Sequence, residues 1–139
     1  MFSDRLKLLI RHRANGLCEY CLCPAEFTSA PFHCEHIQPI SESGTTTLDN
    51  LAWACPSCNQ HKHTKTHALD PQTDRQTPLF HPRIQRWNIH FQWSEDLLYI
   101  VGKTPIGRAT VEALKLNRKE VINLRQLLIG SGEHPPELE

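Results

Sequence analysis

Two short cysteine pairs, Cys18-Glu19-Tyr20-Cys21 and Cys55-Pro56-Ser57-Cys58, constrain this chain more than any other feature. Two residues between cysteines let a tight knuckle aim both thiolates at one ion, and two such knuckles complete a tetrahedral shell. The spacing predicts a structural zinc bound by Cys18, Cys21, Cys55 and Cys58. The alternative arrangement has Cys23 or Cys34 in place of one of the four. A shell of four cysteines is closed, so this zinc has no catalytic role. It would tie an N-terminal helix to a second helix starting after Cys55. Such a staple matters in a chain of 139 residues, whose hydrophobic core is small.

At this length the chain is one domain, or a small domain with an appendage. The stretch MFSDRLKLLIRHRANG has charges on both sides of a short apolar run and no small-residue cleavage site. It reads as neither signal peptide nor membrane span, and no later stretch approaches the roughly 20 apolar residues that cross a bilayer. A soluble, cytoplasmic protein without a membrane partner is expected, and there six cysteines point to metal rather than disulfides. Cys23 and Cys34 then read as small buried hydrophobes. The net charge is zero, but residues 19–49 hold Glu19, Glu26, Glu35, Glu42 and Asp49 with no Lys or Arg. Basic residues dominate on either side. Such flanks suit a polyanion held around a bound cation, although a solvated surface explains the same distribution.

The chain reads as α+β. DRLKLLIRHRANG predicts a short helix with Leu6, Leu8, Leu9 and Ile10 on its apolar face and Ala14-Asn15-Gly16 as its stop. SAPFHCEHIQPI is extended between Pro31 and Pro39. SESGTTTLDN is a polar loop, LAWA a short apolar strand, and CPSCNQHKHTKTHAL a helix with Pro56 in its first turn. Residues 70–82, rich in Pro, Thr and Gln, read as a linker or extended arm. WNIHFQW and LLYIVG look like strands joined at Ser94-Glu95-Asp96. Two helices follow, capped by Thr104 with Pro105 and by Asn117, the second ending at Gly130. The last residues are expected to fray.

The zinc leaves Glu35, His36, Asn50, Asn59, Lys62 and His63 unused. A carboxylate with amide or imidazole partners suits Mg²⁺ or Mn²⁺ better than a soft ion. Asn59, Lys62 and His63 stand at i, i+3 and i+4 and so share one helix face. Asn59 adjoins Cys58, so the zinc cage would fix its position. Taken together, CEYC, then EHI, then LDNLAWACPSCNQHK resembles the HNH endonuclease family, in the branch stapled by two CxxC knuckles, over about residues 11–66. The composite motif has an acid-His pair ending a strand, an Asn fourteen residues after the His, and a CxxCNxxK whose Asn lies nine residues further on.

The resemblance implies a fold and a chemistry. The fold is a small ββα-metal module with structural zinc, here at residues 1–68. Residues 69–139 follow as a linker, a C-terminal β-hairpin and a two-helix extension packed on the module. GRATVEALKLNR is similar to the extension found in some bacterial stand-alone HNH proteins. His36 matches the general base that takes a proton from the water attacking a phosphodiester, a task suited to a group of pKa about 6.5. Glu35 and Asn59 match ligands of a catalytic Mg²⁺ or Mn²⁺, and His63 stands where some relatives place another ligand. Asn50 matches the residue that holds the loop and orients His36. Lys62, with Lys65 beside it, matches a phosphate-contacting position. The implied partner is DNA, cut to leave a 5′ phosphate and a 3′ hydroxyl. Glu35 departs from the Asp carried by many members, and its extra methylene alters the reach to the ion.

Plainer roles compete at several positions. Asn50 also suits a turn, Lys62 a solvated helix face, and His33, His61, His67 and His81 ordinary surface. In a regular strand Glu35 and His36 point to opposite faces, so both reach one phosphate only if the strand ends or twists, as Pro39 allows. Trp87, Phe91, Trp93, Leu98 and Ile100 read as core, although aromatics beside Arg83 and Arg86 also suit base stacking. A non-catalytic zinc-binding module for nucleic acid or protein is the rival reading. The His36, Asn50 and Asn59 set favours the enzyme, because a scaffold needs only the cysteines.

Overall fold

The computed structural model describes residues 2–138. Helix α1 (Asp4–Arg13) begins where the Ser3 hydroxyl accepts the Leu6 N–H at 3.1 Å, and Arg11, His12 and Arg13 fill its last turn, where cations complement the helix dipole. It stops as expected, with Asn15 and Gly16 at φ 53° and 72° in the left-handed region that ends helices. Its apolar face is narrower than expected. Ile10 is fully buried and Leu6 packs against the core, but Leu8 and Leu9 are exposed.

Strands β1 (His33–His36) and β2 (Leu51–Ala54) form an antiparallel hairpin with Glu35 opposite Ala52 and His36 opposite Leu51. Every residue of β2 is buried, between α1 on one side and the cysteine knuckles on the other. Helix α2 (Pro56–Lys62) starts with Cys55 as N-cap, whose Sγ accepts the Cys58 N–H, and with Pro56 at its first position. It is shorter than expected. His63 takes φ 49°, and the chain re-emerges as β3 (His67–Leu69), paired with β4 (Gln76–Pro78). The expected linker is therefore a hairpin, and a boundary at 68/69 falls inside β3.

Asp70 makes that hairpin possible. Its carboxylate accepts the Gln72 N–H and the Thr73 hydroxyl within the turn, a local bond pattern that competes well with helix. The same carboxylate takes two 2.9 Å bonds from Arg108, which hold its pKa well below the usual carboxylate range.

The C-terminal half departs from expectation in three further places. Residues Trp87–His90 form a helical turn, α3, before β5 (Phe91–Trp93) pairs with β6 (Ile100–Gly102). Helix α4 (Pro105–Ala113) is capped by Thr104 as expected. Helix α5 (Lys119–Gly130) has Arg118 at its N-cap. The Asn117 side chain instead bonds both backbone groups of Ile100, and Gly132, with φ 80°, turns the chain after α5. The tail does not fray at His134, which is buried against Trp93 at 4.5 Å and bonds the Leu97 carbonyl. Trp87 and Phe91 are core, as expected, and the Trp87 indole N–H reaches back to the Tyr20 carbonyl at 2.9 Å. One buried cluster thus runs from Ile10 to Val121.

The β5–β6 hairpin and α4 meet with no room for side chains. A Cβ at Gly107 would lie 2.0 Å from the His90 carbonyl oxygen. Gly107→Ala should therefore lower the urea midpoint, at a cost of about 1–3 kcal/mol, without altering the metal content.

Candidate active site and metal centre

The cysteine pairs meet as their spacing predicts. The Sγ atoms of Cys18, Cys21, Cys55 and Cys58 lie within 4.8 Å of one another, and all four residues are buried. A tetrahedral shell with zinc–sulfur bonds of about 2.3 Å has edges of about 3.8 Å, which is the Cys21–Cys55 separation of 3.8 Å. Within each pair the first sulfur accepts the N–H of the second cysteine, at 3.5 and 3.4 Å. Leu22 takes φ 63° to turn the first knuckle. Cys23 accepts the Cys18 N–H on its carbonyl, and its thiol, whose pKa the neighbouring Cys18, Cys21 and Cys55 sulfurs push up, lies beside the four-sulfur cluster rather than in it. Cys34 is half-buried on β1, away from the cage. The donor set fits structural zinc.

The knuckles also hold β2. Glu19 donates its N–H to the Trp53 carbonyl and accepts the Trp53 N–H on Oε2. Arg83 pairs with the same carboxylate and reaches the Leu51 carbonyl, which Arg13 also contacts. Arg83 is thus a structural clamp between the first knuckle and β2.

Beside the cage a cleft of about 310 Å³ opens between the end of β1 and the end of α2, and Glu35, His36, Asn59 and His63 all line it. The strand alternation is resolved by depth. Glu35 forms the buried floor, while His36 is half-buried at the wall. The His36 Nε2 lies 2.9 Å from the Thr46 hydroxyl, and its ring rests 5.6 Å from that of Phe2. Burial, and then the positive charge of Lys62, hold its pKa below the ordinary 6.5. His36 is therefore mostly neutral at pH 7.

Asn50 clasps the loop that follows. Its Oδ1 accepts the Gln38 N–H, and its Nδ2 donates to the Gln38 and Thr45 carbonyls. That loop is also too close for a side chain at Gly44, whose Cβ would sit 1.8 Å from the Gln38 oxygen. Asn59 stands half-exposed on α2, and His63 is exposed at its end. Lys65 is exposed and bonds the His61 carbonyl.

Lys62 departs most from expectation. Its side chain is 1% exposed, and the ammonium sits 2.5 Å from Glu35 Oε1, with the Ile37 carbonyl at 2.8 Å. It is neither solvated surface nor placed to touch a phosphate. Glu35 also accepts the Tyr20 hydroxyl on Oε2 at 2.8 Å, so both its oxygens are engaged. Burial nonetheless pushes its pKa up, against the opposing pull of Lys62 and Tyr20. The sequence signals Tyr20 only by its place inside CEYC.

These elements can be set against known proteins. Residues 18–65 match the family model described as HNH endonuclease. Over these residues the chain is similar to the HNH endonuclease family. It is also 26% identical over 128 residues to the Septu protein PtuB of Bacillus thuringiensis, an alignment that covers 91% of this chain and 46% of the relative. The chain thus spans about half the length of that relative. No solved structure matches it, and no helix among the described residues is long and apolar enough to cross a membrane.

Three variants test the centre. Cys55→Ser should lose bound zinc by metal analysis and the native far-UV spectrum with it, because metal binding supplies folding energy in small sites of this kind. Lys62→Met strands a buried carboxylate and should destabilise the zinc-loaded protein by about 3–5 kcal/mol in urea. Adding Glu35→Gln to Lys62→Met should recover most of that loss.

Proposed function

We propose that this chain is a metal-dependent HNH endonuclease that hydrolyses DNA phosphodiester bonds in the cleft between β1 and α2. What carries the reading is the convergence of Glu35, His36, Asn59 and His63 on one cleft beside the cysteine cage. His36 is the general base, neutral at physiological pH and held by Thr46 and the loop that Asn50 clasps. Mg²⁺ or Mn²⁺ bound by Glu35, Asn59 and His63 would supply Lewis-acid stabilisation of the phosphate and the leaving 3′ oxygen. Lys65, exposed beside the end of α2, contacts substrate phosphate. Residues 1–68 supply the chemistry and 69–139 act as an accessory unit packed on them, in a cytoplasmic protein.

DNA as the partner is supported by a groove that adjoins the cleft at Cys34. Lys7, Arg11, His33 and Phe2 line it without any acidic residue. Lys7 and Arg11 stand at i and i+4 on α1, so both cations face the same way. One observation favours the rival, a non-catalytic nucleic-acid or protein-binding module. The carboxylate meant for the ion is already paired with Lys62, and an ion must share or displace that partner.

Plasmid cleavage with Mg²⁺ or Mn²⁺ decides between the readings. His36→Ala should reduce the rate by roughly 10²–10⁴, and cleavage equal to wild type would overturn the mechanism. Absence of cleavage by either protein would favour the binding module. The wild-type rate should fall with acid through a midpoint below the ordinary histidine value of 6.5, since the base works only when unprotonated.

A further inference from the structure

The cysteine cage is completed from the far half of the chain. Arg118 lays its guanidinium over three of the four sulfurs, with Nη2 at 3.3 Å from Cys55 and 3.7 Å from Cys21, and Nη1 at 3.7 Å from Cys58. Guanidinium only donates, so each of these sulfurs accepts. Four thiolates around Zn²⁺ leave about two units of negative charge on the cage. The knuckle N–H groups offset part of it, and Arg118 is the full cation placed against the rest.

The accessory half is built to hold that cation in place. Asn117 grips the backbone of Ile100 on β6. The buried Arg125 donates to the Leu116 and Leu98 carbonyls and to Asn117 Oδ1, with its guanidinium over Trp93 at 5.1 Å. Arg118 Nη1 is also steadied by the Lys115 carbonyl at 3.2 Å. The connection between α4 and α5 is therefore locked from both sides, and Arg118 projects from it onto the sulfurs.

We propose that Arg118 is the charge-balancing cap of the zinc–thiolate centre, so that the C-terminal hairpin-helix unit is a working part of that centre. The cap slows loss of the metal and shields the thiolates of Cys21, Cys55 and Cys58 from proton and electrophile. Arg118 is a positioning residue for the metal, outside the cleft and outside any hydrolytic step. The inference rests on the four-cysteine zinc reading but not on nuclease activity.

The test uses the full zinc-loaded chain and two readouts, transfer of zinc to a competing chelator and the rate of thiol alkylation. Arg118→Met keeps an unbranched stem and removes the charge. It should weaken zinc binding by roughly 10–100-fold and speed alkylation, while Arg118→Lys restores part of both. Gly107→Ala, which loosens the same unit with Arg118 intact, is the control and should release zinc like wild type. Equal release by Arg118→Met and wild type would overturn the proposal. Equal acceleration by Arg118→Met and Gly107→Ala would overturn it too, assigning the effect to packing. A wild-type protein that carries no zinc would refute the cap and the four-cysteine assignment together.

Discussion

Everything in the N-terminal half hangs on four sulfurs that converge from two knuckles. Short segments such as α1 and the β1–β2 hairpin can build only a small core of their own. The cage supplies the missing constraint in two directions. Through Glu19 it extends the hydrogen bonding of β2. Through Cys55, which is both a metal-type donor and the N-cap of α2, it sets where the helix starts. Four residues later along that helix Asn59 meets the cleft, so the geometry of the candidate active site is inherited from the cage.

The cleft has its own internal brace. Lys62 is the last residue of α2, yet its ammonium is buried between Glu35 and the carbonyls at the end of β1. A buried ion pair of this kind adds little net stability over an apolar pair, but it specifies register, because either charge alone is costly. Here the register fixed is that of helix against strand, which brings His63 and Asn59 opposite His36. A lysine at this motif position thus does structural work from inside, with the backbone carbonyls rather than a phosphate as its neighbours.

The cysteine cage, the two strands of the β1–β2 hairpin and the start of α2 were legible because each rests on short-range chemistry, namely ligand spacing, extended or apolar runs with bounding prolines, and proline at a first helical turn, whereas the clasp by Asn50 followed from the family resemblance. The burial of Lys62 is not legible in the sequence because burial is a tertiary property, and a lysine at the end of a polar helix gives no local sign of it. The stretch after His63 reads locally as helix and linker because its deciding residue, Asp70, bonds Arg108 across 38 positions. Arg118 was invisible for the same reason. Nothing around it resembles a metal motif, and its partners lie 60 to 97 residues upstream. Asn117 looked the better cap until Ile100 claimed its side chain.

The separation between Arg118 and the last cysteine has a temporal side. A chain emerges from synthesis N-terminus first, and its parts can begin to fold as they appear. All four cysteines are exposed to solvent metal before Arg118 has been made. If Arg118 caps the cage as proposed, metal capture and metal retention fall to different stretches of the polypeptide and to different moments of its birth. On that reading the nascent module would meet zinc with an open cage, and the arrival of α5 would close it.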